Sequence, residues 1–289
     1  MKASRSSKTA AQMALSRALE TRAPAGARIC EDPLAERFLD RRYKLLLARP
    51  VRGGVAWLIE RLFPGHHHYV LARTRTFDDF LSEQLAAGAR QLVILGAGYD
   101  SRAYRFASQL RDVAVFEVDH PATSRAKRAK LEAILGAVPA HVRFVPVDFN
   151  RDRLDQRLVD SGYRADLRSI FLWEGTVPYL TADAVDDTLR FVAASASGSK
   201  LIFDYVLRSV LDGTCDLRGA ATEHSRMRRT PEPFVFGIAA DDVTRFLTER
   251  GFTDVSDAGG DELKAHGFPP QRKGAYVKPW WRIVHATVK

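Results

Sequence analysis

Cysteine is scarce: Cys30 and Cys215 are the only two in 289 residues. Two cysteines cannot build a disulfide framework and lack the spacing of a zinc site, so a reducing, cytoplasmic setting is expected. No run of about 18 apolar residues occurs. The start, Met1-Lys2-Ala3-Ser4-Arg5-Ser6-Ser7-Lys8, lacks the apolar stretch of a signal peptide, so neither export nor a membrane partner is expected. Lys and Arg number 44 against 35 Asp and Glu, a balance of +9, and 34 of the 44 are Arg. These cations form no tail and no stripe interleaved with aromatics, which disfavours a nucleic-acid partner; the same field suits a small acidic substrate. No internal repeat or low-complexity segment is present.

What the chain does hold is core material: 46% hydrophobic and 10% aromatic residues, enough for a globular fold of one or two domains. The first ninety residues read as helices with short breaks. An Ala-rich helix spans 9–21, Pro24-Ala25-Gly26 ends it, and Asp32 before Pro33 reads as an N-cap opening a second helix. Pro50 and Gly53-Gly54 separate that helix from an apolar segment at 57–63, and Pro64-Gly65 precedes a long helix over 67–87. From residue 91 short apolar strands (91–95, 114–118, 142–147, 169–173, 200–205) alternate with helices (103–110, 121–135, 153–160, 182–194). This is the pattern of a parallel α/β sheet covered on both faces. After Arg208 a polar excursion runs to Pro231-Glu232-Pro233, followed by a helix over 240–249 and two strands near 252–257 and 281–288. The expected organisation is a helical cover, 1–90, on a sheet domain, 91–289, with the insertion 207–238 forming part of a substrate lid.

Ligands of such sheets bind outside the carboxyl ends of the strands, where strand order reverses. The first strand is followed by Gly96-Ala97-Gly98-Tyr99-Asp100-Ser101, two glycines that let backbone approach a ligand. The second ends in Phe116-Glu117-Val118-Asp119-His120-Pro121, an acid 21 or 23 positions beyond Gly96, where a carboxylate can accept both ribose hydroxyls. Glu117 and Asp119 share one side of the strand, and both remain candidates. The third ends in Val147-Asp148-Phe149-Asn150, where Asp148 can accept an exocyclic amine and Phe149 can pack on a base. The fourth ends in Trp173-Glu174-Gly175-Thr176-Val177-Pro178-Tyr179-Leu180. A carboxylate leaving the centre of a buried sheet needs a cationic or donor partner, which singles out Glu174. A nicotinamide dinucleotide would use similar strand ends, but Ser101 stands where the third glycine of G-x-G-x-x-G belongs.

Together with Ala72-Arg73-Thr74-Arg75-Thr76-Phe77-Asp78-Asp79 and Gln91-Leu92-Val93-Ile94-Leu95-Gly96-Ala97-Gly98-Tyr99-Asp100-Ser101-Arg102-Ala103-Tyr104-Arg105, these blocks resemble the leucine carboxyl methyltransferase family. The match runs in order from about Thr9 to Tyr205. The resemblance implies the class I methyltransferase fold, a seven-stranded Rossmann-like sheet with a reversed last strand, and S-adenosyl-L-methionine as cofactor. It further implies that Arg73 pairs with the methionine carboxylate and that Gly96, Ala97 and Gly98 approach the methionine portion. Asp119 would then hold the ribose, Asp148 and Phe149 the adenine, and Glu174 the amino group. Many relatives carry Asp-Leu where Asp148-Phe149 stands.

Methyl transfer from a sulfonium is an in-line displacement that asks chiefly for positioning and exclusion of water. An ionised carboxylate acceptor needs no base, whereas a phenol or alcohol does. No His-Asp dyad is evident, so O-methylation of a small acidic molecule is the expected reaction. Tyr179 and Tyr205 are expected to orient the acceptor, and Arg75, Arg208 or Arg226 to hold its charge. O-methylation of a hydroxyl, a nicotinamide oxidoreductase and a non-catalytic nucleic-acid-binding module are the alternatives. His66-His67-His68 point about 100° apart on a helix and do not read as a metal site; Trp280-Trp281 read as core or sheet edge.

Overall fold

The computed structural model describes residues 3–149, 151–230 and 233–289. Asn150 and the Pro231-Glu232 pair lie outside the described residues. Seven strands form one sheet: β1 (Gln91–Leu95), β2 (Ala114–Asp119), β3 (Val142–Pro146), β4 (Ser169–Trp173), β5 (Lys200–Val206), β6 (Phe252–Ala258) and β7 (Trp281–Val288), in the order β3-β2-β1-β4-β5-β7-β6. β1 to β5 are mutually parallel, and β7 runs antiparallel to both β5 and β6. Every residue of β1 and β4 is buried, as unbroken apolar runs demand when helices cover both faces. The chain leaves β1 in one direction through β2 and β3 and resumes at β4 on β1's other side. The order therefore reverses between Leu95 and Trp173, and their carboxyl ends define the crevice.

One face of the sheet packs against the N-terminal helices, including Ala3–Thr21 and His66–Ala86. The other packs against Leu154–Asp160, Ala182–Ala193 and Val243–Thr248. The excursion after β5 is pinched shut: Leu207 bridges Ile238, and Ile238 N donates to Val206 O at 3.2 Å. Among its described residues it holds the short helices Arg208–Asp212 and Ala220–Met227.

Several helices differ from expectation for local reasons. The Asp32-Pro33 start yields a single turn, Ala35–Phe38, although Asp32 Oδ1 does accept from Leu34 N and Ala35 N at 3.1 and 3.0 Å. Gly53-Gly54 do not break the chain; they lie inside the helix Arg49–Leu62. Pro50 occupies its first turn, where no N–H is needed, and inward Val55 and Ile59 pack on the core, offsetting about 1 kcal/mol per glycine. The helix expected over 103–110 closes after one turn, Arg102–Arg105. The 240–249 helix begins as a tight 3-10 turn, Ala240–Asp242. A further helix, Gly260–Gly267, is hidden in the sequence by its glycines; the Glu262 carboxylate accepts from Gly259 N at 3.0 Å and secures its start.

Candidate functional site

A cavity of about 570 Å³ opens over the carboxyl ends of the strands and is roofed by Ala10, Met13 and Arg17 of the first helix. Its size falls within the range of about 300–1,000 Å³ typical of small-molecule and cofactor sites. Of the residues singled out from sequence, Arg73, Gly96, Ala97, Gly98, Asp119, Asp148, Phe149, Glu174 and Tyr179 all line it.

The floor is the loop after β1. Gly96 N and Ala97 N both donate to Val118 O, at 2.8 and 2.9 Å, tying the loop to β2. Gly96 has φ +71°, and a Cβ there would collide with Thr176 Oγ1, so this position requires glycine. Asp119, at the end of β2, accepts from Gly98 N at 2.5 Å and from His120 N at 2.6 Å. Burial raises its pKa above the ordinary value, and the two amides oppose that rise. Its carboxylate is thus oriented toward the cavity with lone pairs to spare. Glu117 has a different fate. It lies one pleat back, sealed beneath the loop, where Lys127 Nζ donates to it at 2.8 Å and to Ala97 O at 3.2 Å. It does not belong to the cavity wall.

The far wall is a buried ladder of charges. Glu174 stands between two guanidinium groups, with Oε1 3.0 Å from Arg73 Nε and Oε2 2.7 Å from Arg102 Nη1. Burial pushes the Glu174 pKa up, but Arg102 and Arg73 outweigh it and hold the group below the ordinary glutamate value. Arg73 is anchored from behind by Asp204, whose Oδ2 accepts from Arg73 Nη1 at 2.6 Å and from the Tyr69 hydroxyl at 3.0 Å. The other oxygen of Asp204 accepts from Gly175 N at 2.5 Å. Arg102 also donates to Asp100 at 2.5 Å and to Asp78 at 2.7 Å, and Arg105 pairs with Asp78 as well. At the roof, Arg17 donates to Asp32 at 2.8 Å and to Tyr99 O at 2.7 Å.

Besides Glu117, four residues expected at the site lie elsewhere: Arg75, Tyr205, Arg208, which donates to Gly237 O, and Arg226, which sits over the Phe63 ring. Arg75 follows Arg73 by two positions, about 200° around the same helix; it is exposed and paired with Asp79 at 2.7 Å. Tyr205 alternates with Asp204 along β5, so when Asp204 faces Arg73 the tyrosine faces the opposite side of the sheet. There its hydroxyl donates to Asp257 at 3.1 Å. The insertion 207–238 contributes none of its described residues to the cavity wall. It supports the wall from behind, with the Phe234 ring set edge-on to Tyr179 at 5.1 Å. The roof belongs to the first helix instead.

No site role for Arg17, Asp32, Asp78, Arg102 or Asp204 is evident in the sequence. For Asp204 a signal existed: a lone acid inside the apolar run of β5 poses the same problem of burial that marked Glu174.

The leucine carboxyl methyltransferase family model matches residues 10–193. A Mycolicibacterium gilvum protein named "Putative S-adenosyl-L-methionine-dependent methyltransferase" is 33% identical over 207 residues, 69% of this chain and 66% of the relative, just under two thirds of the latter's length. A second protein of that name from the same organism is 31% identical over 272 residues, 91% of this chain and 88% of the relative. A third, from Mycobacterium sp. strain KMS, is 37% identical over 232 residues, 74% and 83% respectively. Among solved structures, a "putative methyltransferase" from Thermobifida fusca superposes with a TM-score of 0.57 at 15% identity, covering 83% of this chain and 88% of that one, a likeness of fold. With the sheet order and these matches in agreement, the chain belongs to the leucine carboxyl methyltransferase family of S-adenosyl-L-methionine-dependent enzymes.

Proposed function

We propose that this protein methylates a carboxylate oxygen of a small acidic molecule. The residues present fit the cofactor. The cavity wall carries five arginines (Arg17, Arg73, Arg102, Arg105, Arg151) and five acids (Asp32, Asp100, Asp119, Asp148, Glu174), a balance suited to a ligand bearing both signs of charge. When bound, S-adenosyl-L-methionine supplies an electrophilic methyl group on a sulfonium. Asp119 would hold the ribose hydroxyls, Asp148 and Phe149 the adenine, Arg73 the methionine carboxylate and Glu174 the amino group. Arg73 and Glu174 already pair with each other, so a zwitterion exchanges one ion pair for two and leaves neither charge buried alone. Asp204 keeps Arg73 in place throughout that exchange. Gly96 and Gly98 admit the ligand to the loop backbone, and the first helix excludes water from above.

The carboxylate acceptor rests on one observation. The only histidine on the described wall, His120, accepts from Ala122 N at 3.3 Å as the cap of the Pro121–Leu135 helix, so its Nδ1 is engaged away from proton transfer. Chemistry at this site therefore suits an acceptor that is already ionised. Tyr179, held by Phe234, would orient the acceptor oxygen.

The test is to incubate the protein with S-adenosyl-L-methionine and a panel of aliphatic and aromatic carboxylic acids, following S-adenosylhomocysteine release. Product that liberates methanol in alkali is a methyl ester and supports the proposal. Alkali-stable product from hydroxylated acids identifies an ether and overturns the choice of carboxylate.

A further inference from the structure

Eleven large apolar residues are exposed among the described residues, and seven of them fall between positions 45 and 63: Leu45, Leu46, Val51, Trp57, Leu58, Leu62 and Phe63. The Arg49–Leu62 helix carries apolar side chains toward solvent as well as toward the core. At 100° per residue, Val51, Leu58 and Leu62 stand within about 40° of one another, and all three face solvent. Its single acid turns inward: Glu60 accepts from Gly65 N at 2.9 Å and pairs with His68 at 3.3 Å.

Charge marks the same stretch. Residues 41–63 hold six cations (Arg41, Arg42, Lys44, Arg49, Arg52, Arg61) against the one acid Glu60. Among the described residues none of the six is in an ion pair. Some exposed arginines elsewhere, Arg153, Arg164, Arg190 and Arg245, each pair with an aspartate two or three positions away, whereas others such as Arg90, Arg111 and Arg125 are in no ion pair among the described residues; what sets 41–63 apart is six cations beside one acid. Exposed apolar side chains interspersed with cations along one stretch suit a partner that is both apolar and anionic. A second copy of the chain would set these cations against their own kind, and a nucleic acid has no use for a Leu-Val stripe.

We propose that residues 41–63 dock this protein onto an anionic phospholipid surface, with the Arg49–Leu62 helix lying in the interfacial plane. Apolar side chains enter the acyl boundary, Trp57 sits at headgroup level, and the cations meet the lipid phosphates. Lying on a bilayer is distinct from crossing it. The helix has 14 residues where a span needs about 20, and no helix among the described residues is long and apolar enough to cross. The helix also packs on Ala3–Thr21 and His66–Ala86, the helices that supply the cavity's roof and Arg73, so docking brings the bilayer next to the site's cover.

Trp57 makes the test specific. It is 64% exposed, whereas Trp173, Trp280 and Trp281 are buried, so a shift in tryptophan emission reports this helix. The full chain is mixed with vesicles of phosphatidylcholine alone or with added phosphatidylglycerol, and binding is read by co-sedimentation and fluorescence. Binding to the anionic vesicles, a blue shift absent from Trp57→Phe, and release by salt are expected. The double variant Leu58→Glu/Leu62→Glu should partition about tenfold less or weaker still, with its thermal melt and S-adenosylhomocysteine affinity unchanged. The proposal fails if anionic vesicles do not bind the protein at low salt, or if the double variant binds them equally well. It also fails if ultracentrifugation shows the wild-type chain, but not the double variant, dimerising without lipid.

Discussion

At the scale of single residues, the site depends on how each charge is held. Asp119 is oriented by Gly98 N and His120 N and raised in pKa by burial, a group kept at some cost to the fold and ready to receive hydroxyl donors. Asp119→Ala should weaken S-adenosylhomocysteine binding by about 10- to 100-fold, the worth of one or two charge-assisted hydrogen bonds, with the fold intact by circular dichroism. Unchanged affinity in calorimetry would remove Asp119 from the site. Glu174 is the opposite case, a carboxylate that two arginines hold ionised despite its burial.

At the scale of elements, the turns after β1 and β4 are fitted to each other. Gly96 has no room for a Cβ because Thr176 fills that space from the β4 side, so the two strand ends approach as a matched pair at the point where strand order reverses. Gly96→Ala should lower stability by about 1–3 kcal/mol, combining strain at positive φ with the clash, and should abolish cofactor binding. Adding Thr176→Gly removes the clash but not the φ strain, so chemical denaturation should recover only part of the loss. Full recovery would show that backbone conformation carries none of the cost.

At the scale of the whole molecule, buried carboxylates make stability depend on pH. Burial raises the pKa of Asp32, Asp100 and Glu174, but neighbouring arginines outweigh it and leave all three depressed, Asp100 to about 2. A depressed folded-state pKa gives stability that is present above the unfolded value, 3.8 for Asp and 4.5 for Glu, and lost as pH falls through the folded value. Glu117 and Asp119, raised by burial, act the other way, and their contribution is lost as pH rises above the ordinary carboxylate range. Urea midpoints should therefore decline from pH 4.5 toward pH 2. Glu174→Gln should flatten that decline, and an equally steep decline in the variant would place the acid sensitivity elsewhere.

Much of this was legible in the sequence because it is local. The five parallel strands followed from buried apolar runs, and the glycine loop, Asp148, Glu174 and the pair Glu117 or Asp119 followed from their places at the ends of those runs, since a strand end delivers the next residue to one edge of the sheet. What stayed hidden depends on direction or on distance along the chain. Arg73 and Arg75, or Asp204 and Tyr205, are near neighbours in sequence that helical turn and strand alternation send to different sides. Glu117 and Asp119 share a side, yet only the second emerges above the loop. Asp204 meets Arg73 across 131 positions, and Arg17 meets Asp32 and Tyr99 O only once the first helix lies over the sheet. Local sequence sets the strands and the residues at their carboxyl ends, because backbone propensity and hydrophobic periodicity act over a few residues; it does not set every helix, as Gly260–Gly267 and the glycines inside Arg49–Leu62 show. Tertiary structure alone decided which charges pair, which helix forms the roof and which apolar stripe faces outward, because those follow from how distant elements pack.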